Sequence, residues 1–332
     1  MKRKSGKGKR KLTSRRKRPS ALNPSVAIVG SGNLATFLAI SLHRAGFSVA
    51  EIISRDSSRS LRNARSLAEK VGSHPITSSS AKLNANLLWL CVPDREIRSA
   101  ALAVSERLRA LKQESAREIN EARLEKKIFE RERPRVNFAF HSSGALSSRE
   151  LDPLRRAGLA TASVHPLMTF VPHTNPSLTG VPFALEGDAR AKQIARHIVR
   201  KLGGKTVSVS TSNKSAYHAW ATLASPLFLA FLVTLEEAAL AAGVKRRDSR
   251  VMSLPIIKQT LENYSRLGSA HSFSGPIIRG DVPTVAKHLA LLKAYPKTRE
   301  VYEALAIMAV NRLPSKNKME FRRLLAAARP TS

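Results

Sequence analysis

The stretch Val26–Ala35 constrains the fold most, because four β-forming residues run directly into the pattern Gly-x-Gly-x-x-Ala. In such a turn Gly30 permits the tight bend, Gly32 lets a pyrophosphate approach the backbone, and Ala35 lets the next helix pack close to the strand. The start of that helix offers free N–H groups and a positive dipole end to phosphates. A second strand is predicted on schedule at Val49–Ser54. The predicted dinucleotide-binding residues of the turn are Gly30, Ser31, Gly32, Asn33, Leu34 and Ala35.

The end of the second strand indicates which dinucleotide binds. NAD sites usually carry Asp or Glu about 20 residues after the glycines, to hold the ribose hydroxyls. Here Ser54 occupies that place and Arg55 follows it. A hydroxyl and a guanidinium suit a 2′-phosphate, so NADP is favoured over NAD, although Asp56 counts against this choice. The alternative is that Arg55 and Arg59 are solvated loop charges.

The order of the predicted elements indicates the fold class. Strands and helices alternate through residues 24–211, which predicts a Rossmann-like, doubly wound, mainly parallel α/β sheet. From Ser212 onward the apolar periodicity is helical, so residues 212–330 are predicted to form an all-α C-terminal domain. A polybasic tail at 1–23 precedes the two domains, and 106–135 is predicted to be a charged helical insertion of no assignable function.

Polar residues follow three of the predicted strands, at the sheet edge where open α/β proteins bind ligands. They are Asp94, with Val92 at the end of strand 86–92 and Pro93 directly before it, then His141, Ser142 and Ser143 after strand 135–140, and His165 after strand 160–164. The first group is predicted to contact the cofactor. The second and third are predicted to line the substrate side of the nicotinamide. A single histidine in such a loop is more often only hydrogen-bonded, and the two together carry the prediction.

These motifs together resemble a family of oxidoreductases that join a Rossmann-like NADP-binding domain to a C-terminal helical domain of unknown function. The wider group contains 6-phosphogluconate dehydrogenase, ketopantoate reductase and pyrroline-5-carboxylate reductase. The resemblance covers about residues 24–312 and implies the fold and NADP. It rests on Gly30–Ala35, Val92–Asp94, His141–Gly144, His165–Phe170, Lys214–His218, Gly275–Pro276 and Arg279–Asp281.

The resemblance also implies a catalytic pair. Several of the related dehydrogenases present a Lys, and four residues later an Asn, on the first helix of the second domain. Lys214 and His218 have this spacing and share a helix face, so they are the predicted proton-transfer residues. His218 replaces the Asn, and Pro226 stands where many relatives have Asn. The other interpretation is an exposed lysine and a satisfied core histidine. Arg279 is either a surface charge or a clamp for a substrate carboxylate.

Composition bears on partners and compartment. Lys plus Arg total 57 against 24 Asp plus Glu, and the net charge of +33 predicts attraction to anions. Residues 1–20 are basic without any acid, which suits non-specific nucleic-acid contact, a solubilising tail, or an upstream start codon taken in error. The single cysteine, Cys91, is predicted to be a buried, inert thiol in a cytoplasmic protein. No metal site is predicted.

The segment Ser212–Ala242 is predicted to be one long apolar helix, kinked at Pro226. Its apolar character exceeds what a surface helix needs, and relatives bury the equivalent helix in a partner, so a homodimer through the helical domain is predicted. His218, Ser225 and Pro226 interrupt its longest apolar run, so no membrane span is predicted.

The sequence thus predicts an NADP(H)-dependent oxidoreductase. Hydride would pass to or from a small anionic carbonyl, imine or hydroxy-acid substrate. One alternative is a sensor or scaffold that binds NADP without turnover, because fold does not fix function. The other is a nucleic-acid-associated protein that binds through its basic tail.

Overall fold

The computed structural model describes residues 23–124, 136–172, 174 and 176–327. The predicted basic tail, apart from its last residue, and residues 125–135 of the predicted insertion lie outside these ranges. The chain divides into two compact units, one ending at Ala221 and the other beginning at Thr222. The predicted domain boundary after residue 211 therefore precedes the division in the structure, which falls inside a helix.

The first unit is built on one sheet of eight strands. They are β1 (Val26–Val29), β2 (Val49–Ser54), β3 (His74–Thr77), β4 (Leu87–Leu90), β5 (Phe138–His141), β6 (Ala160–Pro166), β7 (Pro182–Gly187) and β8 (Lys205–Ser208). Their order is β3-β2-β1-β4-β5-β6-β7-β8, and only the β6–β7 pair is antiparallel. Strands β1 and β4 are buried throughout, as a parallel sheet covered on both faces requires. The predicted Rossmann-like architecture is confirmed.

Helices cover both faces of this sheet, and each face has its own apolar core. The helices of the unit are α1 (Asn33–Arg44), α2 (Ser58–Val71), α3 (Ile97–Leu124), α4 (Asp152–Arg156) and α5 (Ala189–Lys201). Helix α3 runs on through the first part of the predicted insertion, so 106–124 continues a core helix. The short helix α4 was not predicted. Cys91 is buried, as predicted, and burial raises the pKa of its thiol.

Two predicted strand ends need correction. The structure places His141 as the last residue of β5 and His165 inside β6, whereas both were predicted to follow their strands. Strand β6 is longer than predicted because its antiparallel partner β7 forms backbone hydrogen bonds past the point where the parallel neighbour β5 ends. His165 pairs there with Ala184. Both histidines still lie at the carboxyl end of the sheet.

Helical structure begins again at α6 (Lys214–Ala224). The helices that follow are α7 (Pro226–Ala241), α8 (Arg246–Ser272), α9 (Pro276–Arg279), α10 (Val282–Leu291), α11 (Pro296–Arg312) and α12 (Lys318–Ala327). The predicted single helix with a kink is two helices, because Ser225 leaves helical geometry and Pro226 starts the next helix. The second unit has a small core between α10, α11 and α12. Asp281 caps α10 by accepting the Thr284 N–H at 3.1 Å.

The segment Thr211–Ala241 has the length and apolar composition of a membrane span, and its apolar stretch is not buried in the structure. This differs from the expectation that no segment of the chain would qualify. The break at Ser225 divides it into helices of 11 and 16 residues. Each is shorter than the ~20 residues that cross a bilayer as one helix.

Candidate functional site

The glycine turn between β1 and α1 leaves the start of α1 open to an approaching anion. Gly30 has a φ of +114°, and a Cβ there would lie 2.5 Å from the Cys91 carbonyl oxygen. A Cβ on Gly32 would meet no atom within 4 Å, so the backbone at this position faces open space. No side chain caps α1, and its first turn holds no acid. Its free N–H groups therefore point toward a place where an anion can approach closely. Ala35 is fully buried under the turn.

A cavity of about 550 Å³ opens at this turn. Gly30, Ser31 and Gly32 form one part of its wall, and the exposed Arg55 and Arg59 form another. Ser54 also lines it, although the Ser54 hydroxyl donates to the Arg55 carbonyl at 3.2 Å. The guanidinium groups are thus the cationic contribution to the cavity at this end.

Asp56 turns out to be engaged elsewhere. Its carboxylate accepts hydrogen bonds from the Ser78 and Ser79 hydroxyls at 2.8 and 2.6 Å. These bonds also lower the pKa of Asp56. Asp56 does not line the cavity, so the one acid that counted against a 2′-phosphate is tied to the loop after β3.

One part of the cavity wall is adjacent in sequence to a residue that contacts the loop after β5. Val92 and Pro93 line the cavity, and the next residue, Asp94, accepts the Ser143 hydroxyl at 2.7 Å. The Ser143 hydroxyl in turn accepts the N–H groups of Ala145 and Leu146. Asp94 therefore connects the loop after β5 to the residues that line the cavity.

His141 is a support of that loop. Its Nδ1 accepts the Ser143 N–H at 3.1 Å, and its Nε2 donates to the Ser147 carbonyl oxygen at 3.0 Å. The side chain is fully buried, and this burial lowers the pKa of His141 to about 4. Because both ring nitrogens are occupied, the prediction that His141 binds substrate does not agree with its contacts. Ser142 is similarly engaged, since its hydroxyl accepts Trp89 Nε1–H at 2.9 Å.

Lys214 lies at the centre of the polar network. Its ammonium donates to the Ser143 carbonyl oxygen at 2.9 Å and to the Ser163 hydroxyl at 2.8 Å, and the residue is 2% exposed. Burial lowers the pKa of Lys214 to about 8, and the carboxylates of Glu186 and Asp94 limit the decrease. An exposed lysine in a first helical turn, which was the alternative interpretation, is thereby excluded.

His165 and Tyr217 form a hydrogen-bonded pair next to Lys214. The distance from His165 Nδ1 to Tyr217 Oη is 2.8 Å, and the two rings meet edge to face at 5.6 Å between centroids. Burial lowers the pKa of His165 to about 4 and raises that of Tyr217 to about 12. At neutral pH a protonated phenol therefore faces an uncharged imidazole.

Gly144 brings His165 and His218 to the same point. A Cβ on Gly144 would lie 2.8 Å from His218 Cδ2 and 2.9 Å from His165 Nε2. The structure thus assembles His165, Lys214 and His218 around the loop after β5. Arg279 is an exposed residue at the end of α9 in the second unit, and its predicted role as a carboxylate clamp stays a prediction.

Sequence reasoning missed Tyr217 and Ser163. Tyr217 is three residues after Lys214, one turn along the same helix. Ser163 is two residues before His165, so the two side chains are on the same face of β6. Both spacings can be seen in the sequence. Neither shows that Lys214 would contact Ser163, 51 positions away, or that Tyr217 would contact His165, 52 positions away. Within the described ranges, no group of three or more His, Cys, Asp or Glu could hold a metal ion.

Part of the site and most of the helices after it lie within a known sequence domain. Residues 181–308 match DUF2520, a domain of unknown function. The DUF2520 match includes Lys214, Tyr217 and His218, whereas the glycine turn after β1 and the loop after β5 precede it. No curated protein matches the chain significantly.

Solved structures share the fold along nearly the whole chain. A protein described as an NADP oxidoreductase from Bacteroides fragilis aligns over 86% of this chain and 97% of its own, with a TM-score of 0.63 and 20% identity. A Thermotoga maritima protein aligns over 92% and 100%, with a TM-score of 0.61 and 21% identity. The imine reductase from Myxococcus stipitatus in complex with NADP+ aligns over 90% and 99%, with a TM-score of 0.58 and 14% identity. The chain therefore has the fold of these proteins.

Proposed function

We propose that this chain is an NADP(H)-dependent oxidoreductase acting on a small carbonyl, imine or hydroxy-acid substrate. One observation carries the proposal. A single cavity joins the uncapped start of α1 to two arginines and extends to Pro93, and the next residue, Asp94, accepts a hydrogen bond from the loop after β5 that Lys214 also contacts. The likeness in fold to proteins that are described as NADP oxidoreductases or hold NADP+ supports it.

The residues present fit a phosphorylated dinucleotide. Gly30, Ser31 and Gly32 would hold the pyrophosphate at the start of α1, where the Gly32 backbone faces open space. Arg55 and Arg59 would hold the 2′-phosphate, since a guanidinium binds phosphate oxygens with paired N–H groups. When bound, the nicotinamide supplies or accepts a hydride.

Lys214 and His218 remain the predicted proton-transfer pair. An ammonium has three N–H bonds, and two of those on Lys214 are used by Ser143 and Ser163, which leaves one for a substrate or a water molecule. A pKa of about 8 lets this group release a proton near neutral pH. Its buried charge also favours a substrate that becomes more negative during reduction.

Two arginine substitutions test the cofactor. In Arg55→Ala and Arg59→Ala we expect the Kd for NADPH to rise about tenfold or more, because each removes a charge-assisted contact to the 2′-phosphate. The Kd for NADH should change little. Titration followed by nicotinamide fluorescence measures both values.

Arg65→Ala is the matched control for these variants. Arg65 is an exposed arginine of the same helix as Arg59 but does not line the cavity. It should leave both Kd values unchanged. If the wild-type chain shows no saturable NADPH binding in the micromolar range, the proposed function is wrong.

A sensor that binds NADP without turnover is the second candidate. The observation in its favour is that Lys214 is almost fully buried with its amine bonded inside the protein. NADPH oxidation over a panel of carbonyls and imines, with Lys214→Ala as control, separates the candidates. Turnover that the variant lacks supports the enzyme, and binding without turnover supports the sensor. The predicted nucleic-acid contact of residues 1–20 stays a prediction.

We also propose a homodimer through α7 and α8. These helices expose large apolar side chains, among them Leu229, Val251 and Ile256 at 62%, 71% and 69%. Such contiguous apolar surface is typical of an interface. Light scattering should give twice the chain mass for the wild type. Ile256→Glu should lower it toward one chain mass, whereas Lys258→Glu, an exposed charge change on the same helix, should not. A wild-type monomer would contradict the proposal, and flotation with lipid vesicles would point to a membrane surface.

A further inference from the structure

We infer that Tyr217 is a positioning residue that fixes His165 as the neutral, Nε2-protonated imidazole, and that this Nε2–H binds the carbonyl oxygen of the substrate beside Gly144. The inference rests on the proposed function and narrows its substrate class. It selects a molecule with a hydrogen-bond acceptor at the reacting centre, a ketone or aldehyde, over a protonated imine, which can only donate there.

The tautomer follows from the partner of Nδ1. Tyr217 Oη lies 2.8 Å from His165 Nδ1, and the edge-to-face packing of the rings holds the imidazole plane. Among the residues that the structure describes, the Tyr217 hydroxyl has no other acceptor, so its proton is directed at Nδ1, and the single ring proton of a neutral imidazole then lies on Nε2.

The neutral state follows from the surroundings. Burial is the main reason that the pKa of His165 lies near 4, and the positive charge of Lys214 and the neighbouring His218 and His141 act in the same direction. Asp94 acts in the opposite direction and does not compensate. Burial also holds the pKa of Tyr217 near 12, so the phenol keeps its proton as a donor across the physiological range.

The direction of Nε2 follows from Gly144. Nε2 lies 2.9 Å from the place where a side chain at residue 144 would begin, and within the described part of the chain it has no hydrogen-bond partner. Only a glycine fits here, because any Cβ at residue 144 would overlap both histidine rings. Lys214, which holds the Ser143 carbonyl oxygen, keeps the loop in position from the other side.

The molecule contains a similar pair that serves as a control. His288 Nδ1 and Tyr302 Oη are 3.0 Å apart, with rings edge to face at 5.9 Å, in the second unit. Tyr302→Phe therefore makes the same chemical change as Tyr217→Phe at a place unrelated to the polar network.

Nitrogen NMR of the histidine rings in the full chain tests the inference. In the wild type, Nδ1 of His165 should resonate as an unprotonated nitrogen and Nε2 as a protonated one. In Tyr217→Phe the ratio of the two tautomers should change about tenfold, as expected for loss of one buried hydrogen bond. In Tyr302→Phe the His165 signals should not move. A protonated Nδ1 in the wild type, or an unchanged tautomer in Tyr217→Phe, would overturn the inference.

Cyclopentanone and cyclopentylammonium test the substrate class in the same samples. The ketone should shift the Nε2 signal of His165, and the ammonium, which has no acceptor, should not. No shift with the ketone, or an equal shift with the ammonium, would overturn the assignment of Nε2 as the donor. An NADPH titration of the same protein keeps the two proposals apart. Its failure counts against the oxidoreductase, whereas a wrong tautomer with intact NADPH binding counts only against the role of His165.

Discussion

Replacing Gly30 by alanine is expected to destabilise the first unit by about 3 kcal/mol or more and to abolish NADPH binding. Two costs add at this position. A φ of +114° lies in the region that L-residues avoid, and left-handed backbone costs about 1–2 kcal/mol. The new Cβ would also lie 2.5 Å from the Cys91 carbonyl oxygen, and relieving such an overlap in a packed core costs about 1–3 kcal/mol.

Urea denaturation measures the stability change, and two other glycines provide its controls. Gly72 also has a positive φ, of +61°, but open space around its Cβ position, so Gly72→Ala should cost only about 1 kcal/mol. Gly32→Ala meets no clash, so the chain should fold as before while the Kd for NADPH rises about tenfold or more, since the Cβ enters the space for the pyrophosphate. If Gly30→Ala is no less stable than Gly72→Ala, the close approach of Gly30 to Cys91 is not present in solution.

Lys214→Met is expected to remove a pH dependence of stability that the wild type shows between pH 8 and 10.5. The pKa of Lys214 is about 8 in the folded chain and has its ordinary value of 10.5 in the unfolded chain. Between these pH values the unfolded chain binds more protons than the folded chain, so the free energy of unfolding rises with pH. The increase is complete by about pH 10.5. The contribution is lost as the pH falls through 8. Its full size is of the order of 3 kcal/mol.

The measurement is the difference in unfolding free energy between wild type and Lys214→Met at pH 7, 8.5 and 10. Taking the difference cancels Cys91 and Tyr217, which titrate in both proteins and whose raised pKa values act in the opposite direction. The variant should also lose turnover by about 100-fold if Lys214 transfers the proton. If the difference in unfolding free energy between wild type and Lys214→Met does not increase with pH, Lys214 is hydrated in solution rather than buried.

The fold could be predicted largely because its signals are local. The Gly30 turn, the β2 bounds and the apolar β4 are each encoded by a few adjacent residues, and the structure confirms them. The extension of β6 past His165 could not be predicted in this way, because it depends on an antiparallel partner that lies further along the chain. The break at Ser225 was predicted only as a kink, since a proline is tolerated equally at a bend or at the first turn of a new helix.

The candidate site was predicted in its parts but not in its connections. The family resemblance pointed to Lys214 and His218, and the predicted strand ends pointed to His141 and His165. Spacing could not show that both ring nitrogens of His141 are hydrogen-bonded within its own loop, whereas His165 uses only Nδ1. The reason is that His141 bonds to a backbone carbonyl and His165 bonds to a tyrosine on another element. The chemical difference between two similar histidines therefore resides in tertiary contacts.

The sheet of the first unit extends into the DUF2520 match, and this limits which part of the chain can fold alone. The DUF2520 match starts just before β7, yet β7 and β8 are the last two strands of a sheet whose other six precede the match. A fragment of residues 181–308 would carry an unpaired β7 edge and would lack the serines that hold Lys214. We therefore expect that residues 181–308 can be recognised as a domain in the sequence but cannot fold by themselves. Expression of this domain should therefore include the chain from the first strand onward.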